Sequence, residues 1–260
     1  MAHATRSHAE RHTGLTDGLA NLPILYEDEE EGDMGESNQH VDSDDILRVC
    51  VEAHLADRPE YRVFSNMNLY YALKGPRHPK TKSLPYVSPD TMVVRPYSDL
   101  GEEVSSYTIG VDGPFPDLAA EILSARSGQQ RDLKDKLKLY AMLRVPEYLL
   151  VDVAGKYLRQ RLLLKRLLPN QKWQDTQDAD GGVTSRLGFR VVIDEDGRLR
   201  LLDAKTGKRY ARPDEAQQEA DARREAEERL RALEAELSRL RKTKGTRRQP
   251  TMRNGRRKKQ

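Results

Sequence analysis

The chain has 260 residues, 37% of them apolar and 33% charged, and a net charge of +3. That is too polar for one core throughout, yet ample for a single folded domain with polar extensions. No segment has the length of an apolar membrane span and the first residues lack a secretory apolar stretch, so neither a membrane nor an export role is expected. A lone cysteine, Cys50, cannot form an internal disulfide, and the expectation is a soluble protein of the reducing cytoplasm.

In chain order, residues 1–34 are polar and nearly all acid over 27–33, which predicts a disordered arm. Glu36 and His40 stand four apart; they read as packing or surface groups, with Glu36 a possible accessory ligand. A first helix is expected over 44–55, capped by Ser43, with acids in its first turn suiting the helix dipole. Cys50 falls in its apolar stretch and is expected in the core. The run SPDTMVV then predicts a strand that begins at Asp90, on the face of Met92 and Val94.

The segment 116–152, PDLAAEILSARSGQQRDLKDKLKLYAMLRVPEYLLVD, carries the most information. Its first part is a short apolar run, 118–123, with turn-forming residues on either side, which reads as a buried strand. Glu121 shares a face there with Ala119 and Leu123. An ionised carboxylate in that place costs several kcal/mol or more unless a cation or donor compensates it. A strand-end glutamate touching water is the plain structural alternative. A helix follows over about 129–143, ended by Val145-Pro146, with Leu133, Leu137 and Tyr140 as its buried stripe. Lys136 falls at the edge of that stripe with Asp132 one turn before it, whereas Lys134 and Lys138 face solvent. Taken alone, Lys136 reads as a snorkelling lysine paired with Asp132. Residues 147–152 form a second buried strand, and strand, helix and strand together predict a parallel crossover.

Over 153–210 the pairs Pro169-Asn170, Asp196-Gly197 and Thr206-Gly207 predict hairpins that extend the sheet, with Trp173 as packing. Residues 211–241 read as one helix. Ala226, Leu230, Leu233, Leu237 and Leu240 follow four-three spacing, which suits a short coiled coil and a homodimer, or a helix edge laid on its own domain. After Leu240 the chain holds ten Lys or Arg and no acid, so the remainder is net −7 (+3 less +10). The basic tail, 242–260, reads either as a solvated disordered end or as a sequence-independent attractor of nucleic acid.

The runs P-D-L-x-x-E-I-L-S, R-D-L-x-x-K-x-x-L-Y and V-P-E-Y-x-x-V-D resemble the Uma2 restriction endonuclease family of the PD-(D/E)XK nuclease-like superfamily. Similarity continues in residues 36–40, in Tyr70-Tyr71, in Ser88-Pro89-Asp90, and over 185–189 and 199–207, so that it spans about 35–210. The resemblance implies a restriction-endonuclease-like α/β domain over 35–210, with a small mixed sheet flanked by helices. It implies Asp90 and Glu121 as the metal-binding acids. Leu123 stands where the superfamily often keeps its lysine; Lys136, from the following helix, is the implied substitute. Leu149 departs from an aromatic often found there.

Two acids suffice for magnesium or manganese, which prefer oxygen ligands and keep several waters. Such an ion acidifies water and offsets charge on phosphate, and a nearby lysine adds positive charge in the transition state. A magnesium-dependent endonuclease acting on DNA is therefore expected, with Asp90, Glu121 and Lys136 as its catalytic set and Asp132 as an accessory group. The alternative is a catalytically inactive nucleic-acid-binding or assembly protein on the same scaffold. There is no glycine-rich phosphate loop, zinc-spaced Cys/His cluster or serine elbow to favour another hydrolase.

Overall fold

The computed structural model describes residues 37–71, 77, 84–101, 103–124 and 131–246, with the side chains of 241–246 left aside. The chain divides into two units, one ending at Arg212 and one beginning at Pro213.

The first unit opens with helix α1 (Asn38–Leu55) and strands β1 (Arg62–Ser65), β2 (Asn68–Tyr70), β3 (Tyr86–Val87), β4 (Thr91–Val94), β5 (Ser106–Thr108) and β6 (Leu118–Ile122). A π-helical turn (Arg131–Asp135) then runs into helix α2 (Lys136–Met142). Strands β7 (Glu147–Val151), β8 (Leu162–Leu167), β9 (Trp173–Thr176), β10 (Val183–Thr184), β11 (Phe189–Ile193) and β12 (Leu199–Asp203) follow. The second unit is described as helix α3 (Pro213–Thr246), which continues past the expected end at 241.

The main sheet has the order β1-β4-β6-β7-β8-β9. Only β6 and β7 run parallel, joined through α2 as a crossover; every other pair is antiparallel. This is the mixed α/β sheet expected. Every residue of β4, β6 and β7 is buried, because both faces are covered. On one face Val93, Leu118, Ala120, Ile122, Leu149 and Val151 join Ile46, Cys50 and Val51 of α1 in one core. On the other, Met92, Val94, Ala119, Leu123, Tyr148 and Leu150 join Leu139, Tyr140 and Leu143 in a second. The strand phases expected for Asp90 and Glu121 are those observed.

Three expectations are corrected. Helix α1 begins at Asn38, and its cap is Ser37, whose hydroxyl accepts from the His40 amide at 3.2 Å. Ser43 lies inside the helix and donates to the Gln39 carbonyl at 2.7 Å, so its hydroxyl is satisfied without capping, and the first turn holds no acid. The inward stripe of the second helical segment is Asp132, Lys136, Leu139, Tyr140 and Leu143, while Leu133 and Leu137 are only partly buried. These inward positions are spaced four, three, one and three apart, as on a regular α-helix, so the buried stripe lies one position from the one expected. Residues 129–130 of the expected helix lie outside the described residues. Of the hairpins, only β8–β9 extends the main sheet: β10, β11 and β12 form a separate antiparallel sheet. Thr206-Gly207 leads back to an isolated bridge, Leu202 to Arg209, and not to a strand.

α2 stops where Arg144 takes a left-handed backbone, φ 54°, and the next residue, Val145, precedes a proline. This turn returns the chain to the sheet at β7.

Candidate active site

Asp90 is the residue before β4. The antiparallel register pairs Thr91 with Ala120, so one step outward Asp90 faces Glu121 across neighbouring strands. The Ile122 amide donates to Asp90 Oδ2 at 2.6 Å and fixes one carboxylate oxygen. The other, Oδ1, points toward His40, 3.7 Å from Nε2 and beyond hydrogen-bond reach.

Glu121 lies under the second helical segment and is 2% exposed. Lys136 Nζ donates to its Oε2 at 2.8 Å, and the Tyr140 hydroxyl donates to its Oε1 at 3.1 Å. Lys136 and Tyr140 are four apart and therefore share a helix face. Asp132, on the π turn, lies 3.3 Å from the same ammonium and is fully buried, and among the described residues neither of its carboxylate oxygens accepts a hydrogen bond. The Tyr148 hydroxyl holds the backbone carbonyl of Asp132 at 3.1 Å.

Burial pushes the Glu121 carboxyl well above the usual glutamate range; Lys136 opposes that rise, while Asp90 and Asp132 add to it. For Lys136, burial alone would lower the ammonium, but Glu121, Asp132 and Asp90 outweigh it and hold the lysine above its ordinary value. Beside burial, both directions reflect the same charges: among the described residues the carboxylates of Asp90, Glu121 and Asp132 outnumber the Lys136 ammonium they act on. A divalent cation would supply compensating charge there, and hard oxygen donors suit one. Among the described residues no group of three or more His, Cys, Asp or Glu is gathered to hold a metal unaided. The fit is therefore to an ion held by two acids and completed by water and phosphate oxygens.

The three residues expected to act together, Asp90, Glu121 and Lys136, are brought together, and Asp132 joins them. Lys136 sits in the middle of the buried stripe and not at its edge. Lys134 and Lys138 are exposed. Glu36 lies outside the described residues. His40 is buried beside Asp90, closer to the site than a packing role suggested. Two groups were missed. The Tyr140 hydroxyl was read only as part of an apolar stripe, although its spacing from Lys136 places both on Glu121. Asp44, read as a dipole partner, is buried and accepts from Thr91 at 2.9 Å, from Asn66 at 3.1 Å and from Ser65. Burial raises its carboxyl, Ser65 and Thr91 oppose this, and the Asp90 charge adds to the rise.

A mixed sheet that sets two acids and a lysine at one point is a nuclease-like arrangement. The chain belongs to the Uma2 family, described as a putative restriction endonuclease, whose model matches residues 32–193. No curated protein matches it. Among solved structures it is similar to a putative nuclease belonging to DUF820 from Anabaena variabilis ATCC 29413. That pair is 17% identical, with 59% of this chain and 74% of that chain covered and a TM-score of 0.40. Family membership makes the function nuclease-like and implies nucleic acid as substrate, and restriction-endonuclease-like families generally use divalent metal ions. Among the described residues no helix is long and apolar enough to cross a membrane.

Proposed function

We propose that the protein is a metal-dependent endonuclease that hydrolyses phosphodiester bonds in DNA, with magnesium or manganese as its ion. The observation that carries this reading is the buried cluster in which Asp90, Glu121 and Asp132 face the single ammonium of Lys136. Asp90 and Glu121 would hold the ion. When bound, it supplies positive charge beside the scissile phosphate and acidifies water. Lys136 orients the attacking water and stabilises charge developing on the phosphate oxygens. Asp132 and Glu121 keep that lysine protonated, and Tyr140 fixes the rotamer of Glu121. The basic residues after Leu240 add sequence-independent affinity for the DNA backbone.

The test is nicking of supercoiled DNA with magnesium or manganese, beside a titration of metal binding. Asp90→Ala is expected to lose both metal binding and cleavage. Lys136→Ala is expected to bind metal and to cleave roughly 100- to 1000-fold more slowly. Removing residues 241–260 is expected to flatten the dependence of DNA affinity on salt while leaving cleavage at saturating substrate intact. Cleavage that persists unchanged in the Asp90 variant would place the activity elsewhere.

A further inference from the structure

Helix α3 leaves an apolar edge uncovered. Leu230 and Leu233 are each 58% exposed and Leu237 is 53% exposed, in a helix of 34 residues otherwise dominated by charge. The spacing sets Leu230 and Leu237 at position a of a heptad, and Ala226, Leu233 and Leu240 at d. The seam is closed at both ends by charge: Arg223 occupies the a position before it and Lys244 the a position after it. Two heptads are therefore all that a partner can cover.

The flanking charges say which partner and which direction. In a parallel pair, each g residue meets the e residue five places on in the other chain. Those pairs are Arg229 with Glu234 and Glu236 with Arg241, opposite in sign, and symmetry makes each of them twice. The remaining g–e pair, Ala222 with Glu227, is neutral. Antiparallel registers do worse. The one that stacks all four leucines sets Glu234 and Glu236 each against its own copy, which cancels its two Glu227–Arg241 pairs. The register shifted by one heptad sets Glu227 against Glu234 twice, which cancels its two Arg229–Glu236 pairs. Within one chain Arg229 lies 3.9 Å from Glu225 on an exposed surface, a contact too weak to compete with a partner.

We infer that α3 pairs in parallel and in register with α3 of a second copy of this chain, as a short two-stranded coiled coil centred on Leu230, Leu233 and Leu237. The pairing is concentration-dependent, because the seam spans only two heptads and most of the helix upstream of it offers charged or small residues. It brings the two basic tails out side by side, so that one assembly presents two of them to a polyanion. The helix alone carries this inference, and it stands whether or not the nuclease reading holds.

Sedimentation equilibrium of the full chain tests it. The wild type is expected to show a reversible monomer–dimer equilibrium. Leu233→Glu with Leu237→Glu is expected to be monomeric, with helix content retained by circular dichroism. Glu236→Arg, which turns two attractive pairs repulsive, is expected to raise the dimer Kd roughly tenfold, and Arg241→Glu added to it to restore the original value. Direction is read from Leu233→Cys, which in a parallel dimer faces its own copy and forms a disulfide under mild oxidation. The wild type, whose only cysteine is buried, is the control. A wild type monomeric at every concentration, a dimer that survives both glutamates, or a dimer whose Leu233→Cys form does not cross-link would each overturn the proposal.

Discussion

Two glutamates lie on the neighbouring parallel strands β6 and β7, both buried and both inside apolar runs, and they are opposites in every other respect. Glu147 is 1% exposed and its carboxylate is fully served. Arg166 donates to Oε1 at 3.0 Å, the Arg186 amide lies within 3.1 Å of both oxygens, and the Ser185 hydroxyl donates to Oε2. Among the described residues all its partners are donors and none is another acid. Glu121 has two donors, Lys136 and Tyr140, and two acids beside it. Burying a carboxylate is therefore no sign of function by itself. The sign is a buried carboxylate whose surroundings leave negative charge uncompensated, because a folded protein keeps such an excess only where something else supplies the balance. Glu147 latches Ser185 and Arg186 onto the end of the sheet; Glu121 is poised to take a proton or a cation.

The largest effects should separate these two roles outright. Glu121→Ala is expected to bring metal-dependent cleavage to background while the fold survives, since relief of repulsion from Asp90 and Asp132 offsets the acceptor that Lys136 and Tyr140 lose. Glu147→Ala is expected to do the reverse. It leaves the Ser185 hydroxyl and Arg186 amide without their acceptor and should cost about 3 kcal/mol of stability, with activity per folded molecule unchanged. Denaturant melts run beside nicking assays check both. If Glu147→Ala lost activity at full stability, the comparison would break.

A smaller effect follows from pH. The Glu121 carboxyl is raised by burial first and by the neighbouring acids next, against the pull of Lys136. Between the ordinary glutamate pKa and its raised value, the native protein binds a proton that the unfolded chain has released. Stability from this group is thus complete below the ordinary value and is lost as pH rises through the raised one. Metal-free wild type should lose stability over that rise, and Glu121→Gln should lose less. Magnesium should restore neutral-pH stability to the wild type and not to the variant. Thermal melts from pH 4 to 8, with and without the ion, decide this.

How much of this was legible in the sequence depends on range. The faces of SPDTMVV and DLAAEIL were readable because a strand's period of two is rigid, while the meeting of Asp90 and Glu121 was implied by the family resemblance. Lys136 was half readable. The stripe through Leu133, Leu137 and Tyr140 and the stripe through Asp132, Lys136 and Tyr140 both fit helical spacing, and apolar preference alone favoured the leucines. The start of α1 was missed because Ser37 and Ser43 are both competent caps, and only the burial of Ser43 decides between them. The contrast between Glu121 and Glu147 was not legible at all. The partners of Glu147 lie 19 to 39 residues away, on β8 and in the turn after β10, whereas those of Glu121 sit 15 and 19 residues on, within one helix.

The finest test of the comparison removes one hydroxyl from each glutamate. Tyr140→Phe takes the donor from Glu121 Oε1 and leaves the ring against Tyr148, 4.9 Å between centroids. Ser185→Ala takes the hydroxyl donor from Glu147 and leaves Arg166 and the Arg186 amide in place. Each is expected to cost about 1 kcal/mol, the net worth of one buried hydrogen bond, so stability alone will not distinguish them. Metal affinity will. Without the Tyr140 donor the ionised form of Glu121 is less favoured, protons compete better with the cation, and affinity near neutral pH should fall a few-fold and recover as pH is raised. Ser185→Ala should leave metal affinity and its pH profile where they were, because Glu147 shares no charge with the site. Titrating both variants with manganese at pH 6 and pH 8 reads the difference directly. Equal profiles for the two would mean that the Tyr140 hydroxyl is packing, with no part in setting the charge of Glu121.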